Sequence, residues 1–471
     1  MKYFALGFTL LFFSLIGSAQ STYTLEQCID IAWKNNLQIK QAKLGIESSE
    51  NELSNAKQDR LPNLNGFASH NYNWGQRIDP FTNQFANTRV QSNSFGLNSS
   101  IVLFNGFQNE QNIKAQEANL QSVIYGVEAQ KNDVALAVSS AFLSVLLSDE
   151  LITVAKAQED ISQEQLSRIR TLVEVGNTNI GVQYDLEAQL AADQATTTQR
   201  KNEYQLAKLR LKQLLMIPSD QPFEINKGND DRLNDSEAVL VSVPRVYVQA
   251  EQNMPEIKQA ELNISQWENQ IKVSQSGYYP SLSLSGSIGT GYSGLRTEIV
   301  DATPGDPRQI GATESGEFVF APTFNTEVER VTFNTQLSDN FNQFIGLSLN
   351  VPIFNRGGIY SSVQRSRINK AQAEVQLDAE KQNLRLAIET AHADAVAARE
   401  TMVANEKATV AAERAFDFAK ARFENGALNT TDFNNSKSNL QLAQARYSRA
   451  KYDYFFKSMV LEFYSGKPLS F

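Results

Sequence analysis

Residues 279–288 read YPSLSLSGSI, a proline followed by leucine or isoleucine alternating with serine or glycine. Alternation with a period of two is typical of a β-strand with one apolar face and one small, polar face. The earlier stretch LPNL at 61–64 begins in the same way, at an offset of 218 (279 − 61). Two predicted strands that begin with similar residues indicate that the chain contains the same structural unit twice.

Two further pairs of segments support a repeat. IKQA at 39–42 returns unchanged at 257–260, again at the offset of 218. Further on, LFNG at 103–106 is echoed by IFNRG at 353–357, now at an offset of 250 (354 − 104). The change in offset assigns about 32 additional residues to the second copy, and everything else stays in register. The predicted repeats are 20–243 and 244–471.

Each repeat carries two stretches with the period of two. The predicted strands lie near 62–74, 93–104, 280–292 and 341–354. Each has about the ten residues that a tilted membrane strand requires, with serines toward an aqueous lumen and apolar residues toward lipid. The predicted lumen-facing residues are Ser283, Ser285, Ser287 and Ser348, and the lipid-facing ones are Leu282, Leu284, Ile345, Leu347 and Leu349. A soluble sheet with one dry face would show the same alternation.

Long helical segments without proline follow the strands in both repeats. Apolar residues recur at spacings of three and four along Leu120–Val145, which predicts a coiled-coil helix. Helical periodicity is interrupted at Gly176 and at Gly426, and we predict the tips of two long antiparallel hairpins there. Single shorter helices are predicted at Leu25–Lys57 and Tyr247–Gln275. The fold class is therefore mainly α with membrane β.

The N-terminus has the layout of a secretory signal peptide, 1–19, with an apolar stretch at Phe4–Ile16 and predicted cleavage after Ala19. No later run of about 18 unbroken apolar residues predicts a membrane helix. The net charge of −9 argues against nucleic acid, whose recognition depends on basic surface. A single cysteine excludes a disulfide within the chain.

The sequence offers no constellation of catalytic or metal-binding residues. His70 and His392 have no histidine or cysteine at metal-ligand spacing. A Gly-x-Ser-x-Gly motif is absent, and so is a Cys/His pairing. We therefore expect no enzymatic activity and no cofactor.

Four strands cannot close a barrel, and an open sheet edge is not tolerated in lipid. Several chains must therefore share one barrel, and three chains provide twelve strands. The connecting segments Gly75–Arg89 and Ser293–Asn340 are rich in Asn, Thr, Gly and Pro and are predicted to be external loops. The additional residues of the second repeat fall in the second of these loops, where insertions are tolerated.

Together these features resemble the TolC family of outer-membrane efflux and secretion channels. The resemblance includes the duplicated helix-strand-strand-helix order and the Leu-Pro-Asn-Leu and Val-Pro-Ile-Phe-Asn segments that border the strands. It also includes Arg422–Gly426, Thr431–Phe433 and Gln441–Ala445, and it covers essentially all of the mature chain. The implied fold is a homotrimer in which a twelve-stranded transmembrane β-barrel is continuous with an α-barrel of long antiparallel coiled-coil helices.

The resemblance implies the exit duct of a tripartite efflux pump, which passively conducts small molecules such as drugs or metals across the outer membrane of a Gram-negative bacterium. The implied partners are a periplasmic adaptor protein, an inner-membrane transporter and outer-membrane lipid. Two alternatives stay open. One is the exit duct of a type I protein secretion system, and the other is a soluble, secreted coiled-coil structural protein.

In the family the hairpin tips contact the adaptor, and many members carry acidic constriction rings six and nine positions after the second tip glycine. The corresponding tip residues here are Val175, Gly176, Asn177, Asn425, Gly426 and Ala427. This chain has Asp432 at the first ring position, Asn435 at the second, and Leu428 where an entrance-locking arginine is often found. The alternative for Asp432 is a helix-start carboxylate that interacts with the amide dipoles.

Overall fold

The computed structural model describes residues 22–79, 81–83, 85–87, 89–226 and 242–469. The predicted signal peptide lies outside the described residues. The chain divides into two compact units. The helical unit comprises the described parts of Met1–Glu50, Ala118–Ser265 and Ala371–Phe471, and the strand unit comprises Asn51–Glu117 and Gln266–Lys370.

The described residues form nine helices and ten strands. The helices are α1 Leu25–Asn35, α2 Leu37–Gln58, α3 Gln108–Glu174, α4 Ile180–Leu215, α5 Val243–Asn253, α6 Pro255–Ser276, α7 Phe333–Asp339, α8 Gly358–Glu424 and α9 Thr430–Tyr464. The strands are β1 Thr22–Tyr23, β2 Asn63–Asn73, β3 Arg77–Ile78, β4 Phe85–Ala86, β5 Val90–Asn105, β6 Glu224–Ile225, β7 Ser281–Ser293, β8 Thr297–Ala312, β9 Phe318–Arg330 and β10 Asn342–Asn350.

Corresponding helices of the two repeats have nearly the same length. α1 and α5 each have 11 residues, α2 and α6 each have 22, and α3 and α8 each have 67. α4 has 36 residues and α9 has 35. At a rise of about 1.5 Å per residue, α3 and α8 are each about 100 Å long. The prediction of a mainly helical chain with long helices in both repeats is confirmed.

The sequence predicted one continuous helix before the strands of each repeat, and this prediction is wrong. In the first repeat Asn36 separates α1 from α2, and its Oδ1 accepts hydrogen bonds from the amides of Gln38 at 2.8 Å and Ile39 at 3.3 Å. In the second repeat Pro255 begins α6. Proline has no N–H to donate into a preceding helix and keeps the residue before it out of the helical region.

The largest apolar core of the helical unit lies where α1 packs against α3, α4 and α9. Leu25 and Cys28 of α1 are fully buried in it, together with Val138 and Phe142 of α3. Burial raises the pKa of the Cys28 thiol to about 12, with the nearby charge of Glu26 adding to the effect. Since the thiolate is the reactive form, this cysteine is an inert core residue.

α3 also contains an 18-residue window with a mean hydropathy of 1.7, of which 44% is buried. By length and composition this window is apolar enough to cross a membrane, although the sequence contains no unbroken apolar run. A core helix has the same composition, and α3 buries Val138, Phe142 and Val145 completely. We therefore assign the apolarity of α3 to helix packing.

The main sheet of the strand unit has the order β10-β7-β5-β2, and all of its neighbours are antiparallel. Both repeats contribute two strands to it. The register shifts once, between Val102 and Phe104 of β5, which marks a β-bulge. β2 and β10 form the two edges of this sheet.

The connection Ser293–Asn340, predicted to be a loop, contains regular structure. β8 and β9 pair as a separate antiparallel hairpin of 16 and 13 residues, and α7 follows it. Among its described residues, the corresponding connection of the first repeat contains the two-residue strands β3 and β4 and no longer strand. The amino-acid composition of β8 predicts a loop, because it includes two prolines and two glycines, which are unusual within a strand.

Candidate functional site: sheet faces and hairpin tips

The register of the main sheet divides its side chains between two faces. Leu284 pairs with Leu347, whereas Ser283 pairs with Ser348. Paired residues project to the same side of a sheet, and successive residues alternate. All five predicted lipid-facing residues therefore share one face, here called the apolar face, and the four predicted lumen-facing serines share the other, the polar face. Which face contacts lipid stays a prediction.

The apolar face is open in the single chain. Ile345 is 80% exposed, and Leu347 and Leu349 are each 64% exposed. Removing such a side chain from water contributes about 1.5–3 kcal/mol. An exposed apolar surface built from several strands indicates a surface that is covered in the working protein.

Aromatic residues lie at both ends of the apolar face. At one end the ring of Phe333 in α7 lies 6.3 Å from that of Phe95 and 5.3 Å from that of Tyr292. At the other end the rings of Phe104 and Phe107 lie 5.4 Å apart. Two aromatic rows that border an apolar band are typical of strands at the two interfaces of a membrane.

The edges of the main sheet are not paired within the described residues. Three antiparallel pairings separate β2 from β10, so the two edge strands run in opposite directions. Each leaves a row of backbone N–H and C=O groups available to another strand. β2 of one copy could therefore pair in antiparallel fashion with β10 of a second copy.

Two connections meet at Ser293, the last residue of β7. Asp79 is fully buried, and its carboxylate accepts hydrogen bonds from Ser293 Oγ at 2.6 Å, the Phe81 amide at 3.0 Å and the Thr82 amide at 2.9 Å. Gln336 of α7 is also buried and exchanges hydrogen bonds with both backbone groups of Ser293. Burial raises the pKa of Asp79, but the hydrogen bonds outweigh it and hold the pKa below its ordinary value.

The sequence did not reveal this junction. Its members are polar residues in non-periodic segments, and Ser293 and Asp79 lie 214 positions apart. The buried carboxylate and amide side chains fix both connections to the same end of β7.

The two hairpin tips have the same backbone geometry. Gly176 and Gly426 adopt φ angles of +73° and +71°. At the second tip the amide of Gly426 donates to the carbonyl of Phe423 at 3.0 Å, and that of Ala427 donates to Arg422 at 2.8 Å. The first tip repeats both hydrogen bonds. This is the Schellman ending of a helix, which requires a left-handed residue and so favours glycine.

The six predicted adaptor-contacting residues at these tips are all exposed. They are Val175, Gly176, Asn177, Asn425, Gly426 and Ala427. Val175, an apolar side chain, is 70% exposed. Their contact with an adaptor stays a prediction.

The three predicted entrance residues have local roles in the chain. Asp432 lies in the first turn of α9, where its carboxylate accepts a hydrogen bond from Asn429 Nδ2 at 3.0 Å and its amide donates to Asn429 Oδ1 at 2.8 Å. Asn435 is exposed one turn later. Leu428 is half-buried against the cluster that contains Phe433. As constriction residues they stay predictions, whereas the position of Asp432 in the first turn of α9 is observed.

A buried ion pair joins the two hairpins. The ammonium group of Lys437 in α9 is completely buried and contacts the carboxylate of Asp193 in α4 and the hydroxyl of Ser162 in α3. Ser162 Oγ also donates to Asp193 at 2.6 Å. Burial lowers the pKa of Lys437, and the attraction of Asp193 opposes that shift. No pattern in the sequence indicates this cluster, because each of its polar residues would be expected to face solvent on its own helix.

Within the described ranges no group of three or more His, Cys, Asp or Glu side chains is arranged to hold a metal ion. The long hairpins, the open apolar face and the unpaired sheet edges instead define a class of protein, the subunits of outer-membrane channels.

The family model described as outer membrane efflux protein matches residues 28–215 and 246–466. The chain belongs to the outer membrane efflux protein family. It is 21% identical to the outer membrane protein TolC of Escherichia coli over 96% of this chain and 84% of TolC. It is also 21% identical to the outer membrane efflux protein BepC of Brucella suis, over 95% of this chain and 86% of BepC.

Solved structures show the same fold. CusC, whose structures concern folding and transmembrane channel formation, superposes with a TM-score of 0.72 at 16% identity, over 95% of this chain and 93% of CusC. Both repeats are therefore units of one known channel fold. The protein is an outer-membrane efflux duct, and the soluble coiled-coil alternative is excluded.

Proposed function

We propose that three copies of the chain join their main sheets edge to edge into one twelve-stranded barrel and that this barrel passively conducts small molecules outward. The observation that carries the proposal is the pair of open edges, β2 and β10, which run in opposite directions beside an exposed apolar face. In lipid every backbone group needs a partner, so such a sheet must close on further copies.

The native particle mass tests the closure. We expect a detergent-dependent particle of three chains after extraction of outer membranes in mild detergent. A detergent-independent monomer or dimer would contradict the proposal. Disulfide cross-linking between introduced cysteines provides a second test of the closure. The only native cysteine, Cys28, will not interfere, because it is buried and its thiol pKa is raised to about 12. We would combine Asn65→Cys on β2 with single cysteines placed along β10. The largest disulfide-linked species on a non-reducing gel should then contain three chains.

The assignment of the faces is tested by neighbouring substitutions on β7. Leu284→Arg puts a charge on the apolar face and should cost roughly 2–4 kcal/mol near the bilayer midplane. Ser283→Arg puts the same charge on the polar face and should narrow the pore while assembly proceeds. Equal losses of trimer would show that the faces are wrongly assigned.

We further propose that an adaptor protein and an inner-membrane transporter engage the exposed tips at Val175–Asn177 and Asn425–Ala427. The chain itself then needs no catalytic group, because the partner supplies the free energy. Substituting Val175 by Asp should weaken adaptor capture without changing trimer mass, whereas the same substitution at Val319 on β9 should change neither. Unchanged capture by both variants would contradict the contact.

A further inference from the structure

The polar face of the main sheet carries phenylalanines among its serines, asparagines and glycines. Phe67 pairs with Gly96 on this face, and Phe344 pairs with Ser287. Phe67 is 55% exposed and Phe344 is 58% exposed. Apart from Val90 and Val102, the other residues of this face are small or polar, so the large phenylalanine rings, which do not belong to the apolar band, require an explanation.

Each of these rings lies over a glycine. A Cβ on Gly96 would lie 2.7 Å from Cε1 and Cζ of Phe67, and a Cβ on Gly346 would lie 2.5 Å from Cζ of Phe344. Neither ring could occupy its position if the glycine carried a side chain. The absence of a Cβ lets the ring lie against the backbone.

A third ring comes from the connection between β2 and β5. Phe81 lies over Gly291, where a Cβ would clash with Cζ of its ring. Gly291 belongs to the polar face, because it alternates in step with Ser283 and Ser287 along β7. Phe81 is held there by the hydrogen bond that its amide donates to the buried carboxylate of Asp79 at 3.0 Å.

The three rings follow one another along the strands. Gly291 pairs with Ser94, and Gly96 pairs with Gly289 in the next row of the polar face. The row of Ser287 and Phe344 follows, and then that of Ser285 and Gly346. Rows of one face are separated by two residues, roughly 7 Å, so the rings cover roughly 20 Å along the sheet.

We propose that Phe67, Phe81 and Phe344 form an aromatic track on the lumen wall that binds transported small molecules carrying aromatic rings. This inference rests on the proposed function, in which the polar face lines the duct. Ring faces attract other rings and organic cations. Several weak sites in series suit conduction, because each holds the cargo briefly without trapping it.

Pore block in planar lipid bilayers tests the track with the full-length protein. The probes are benzyltrimethylammonium, which carries a ring, and hexyltrimethylammonium, which has the same charge and a similar size but no ring. Added on the side of the β2–β5 connection, the benzyl probe should block the current at the lower concentration. Phe67→Leu/Phe344→Leu should weaken its block roughly tenfold and leave the hexyl probe unchanged, because leucine keeps apolar volume but removes the π face.

Phe320→Leu is the matched control, because Phe320 lies on β9 outside the main sheet and is also 55% exposed. It should change neither block. Equal block by the two probes, or an unchanged benzyl block in the double variant with normal conductance, would overturn the aromatic track and leave the duct intact. A wild-type particle that proves to be a detergent-independent monomer or dimer would instead overturn the duct, and the track with it.

Discussion

Corresponding helices of the two repeats match to within one residue, whereas the connections between their paired strands differ by about 32 residues. One inserted residue turns every later side chain of a helix by about 100°, which would misalign a packed stripe over its full length. A connection at the end of a sheet has no such constraint. Length is thus conserved between the repeats where packing is continuous along the chain.

The repeats also differ in charge at equivalent positions. Lys437 occupies the position that Glu187 has in the first hairpin, at the offset of 250 (437 − 187). Lys437 is buried against Asp193, whereas Glu187 forms an exposed pair with Arg170 at 2.9 Å. The equivalent positions therefore hold a lysine in a buried ion pair between the two hairpins and a glutamate in a surface pair within the first hairpin.

The largest expected effect follows from this difference. Lys437→Met leaves the buried carboxylate of Asp193 without its cation and should lower the free energy of unfolding by about 3–5 kcal/mol. Glu187→Gln breaks the exposed pair and should cost much less, because solvent screens the attraction between surface charges. Denaturant unfolding followed by circular dichroism measures both. Equal losses would contradict the distinction, and Lys437→Met/Asp193→Leu should recover most of the stability.

The hairpin tips are where the repeats agree, and there we expect equal effects. Gly176→Ala and Gly426→Ala each place a Cβ in the left-handed region and should cost about 1–2 kcal/mol. Thermal unfolding of the helical signal measures the losses. Gly358→Ala is the control, since no atom lies within 4 Å of its Cβ position and its φ is not left-handed. A loss at one tip only would show that the tips are not equivalent.

A smaller, pH-dependent effect is expected at the start of α6. Burial raises the pKa of Glu256 above its ordinary value of 4.5, and the charges of Asp133 and Glu380 add to the shift. A raised folded pKa means that ionised Glu256 destabilises the folded state at neutral pH, and that this loss disappears as pH falls through the raised pKa toward 4.5.

The first repeat has Gln38 at the equivalent position, at the offset of 218 (256 − 38). Glu256→Gln should therefore stabilise the protein at neutral pH and have no effect once the solution is more acidic than the ordinary pKa. Gln38 is exposed, so Gln38→Glu should change little at either pH. A gain from Glu256→Gln that persists in acid would contradict the assignment to ionisation.

The smallest effect is expected for the structure that only the second repeat has. Replacing residues 298–329 by a short glycine-serine turn removes the hairpin of β8 and β9 while keeping the hydrogen bond from the Val331 amide to the Arg296 carbonyl, 3.1 Å long. Trimer yield and thermal midpoint should not change. Gln336→Ala, which breaks the contacts of α7 with Ser293, should lower the midpoint and serves as the comparison.

Much of the fold was predictable because it is periodic. Alternation located the four strands of the main sheet, and stripes at spacings of three and four located the long helices. The helix breaks at Asn36 and Met254 were missed, because the apolar helical periodicity continues on both sides of each break. Each break depends on a single residue, the capping side chain of Asn36 in the first repeat and the proline after Met254 in the second.

The duplication, the length of the long helices and the division of the main sheet into two faces can all be derived from the sequence alone. Each of these follows from burial repeated at a fixed spacing, which is local information. The contact of Lys437 with Asp193, 244 positions away, and that of Ser293 with Asp79, 214 positions away, emerge only from the folded chain. The same is true of the glycines that lie beneath Phe67, Phe81 and Phe344. Such contacts depend on pairing between distant segments, and no spacing along the chain records them.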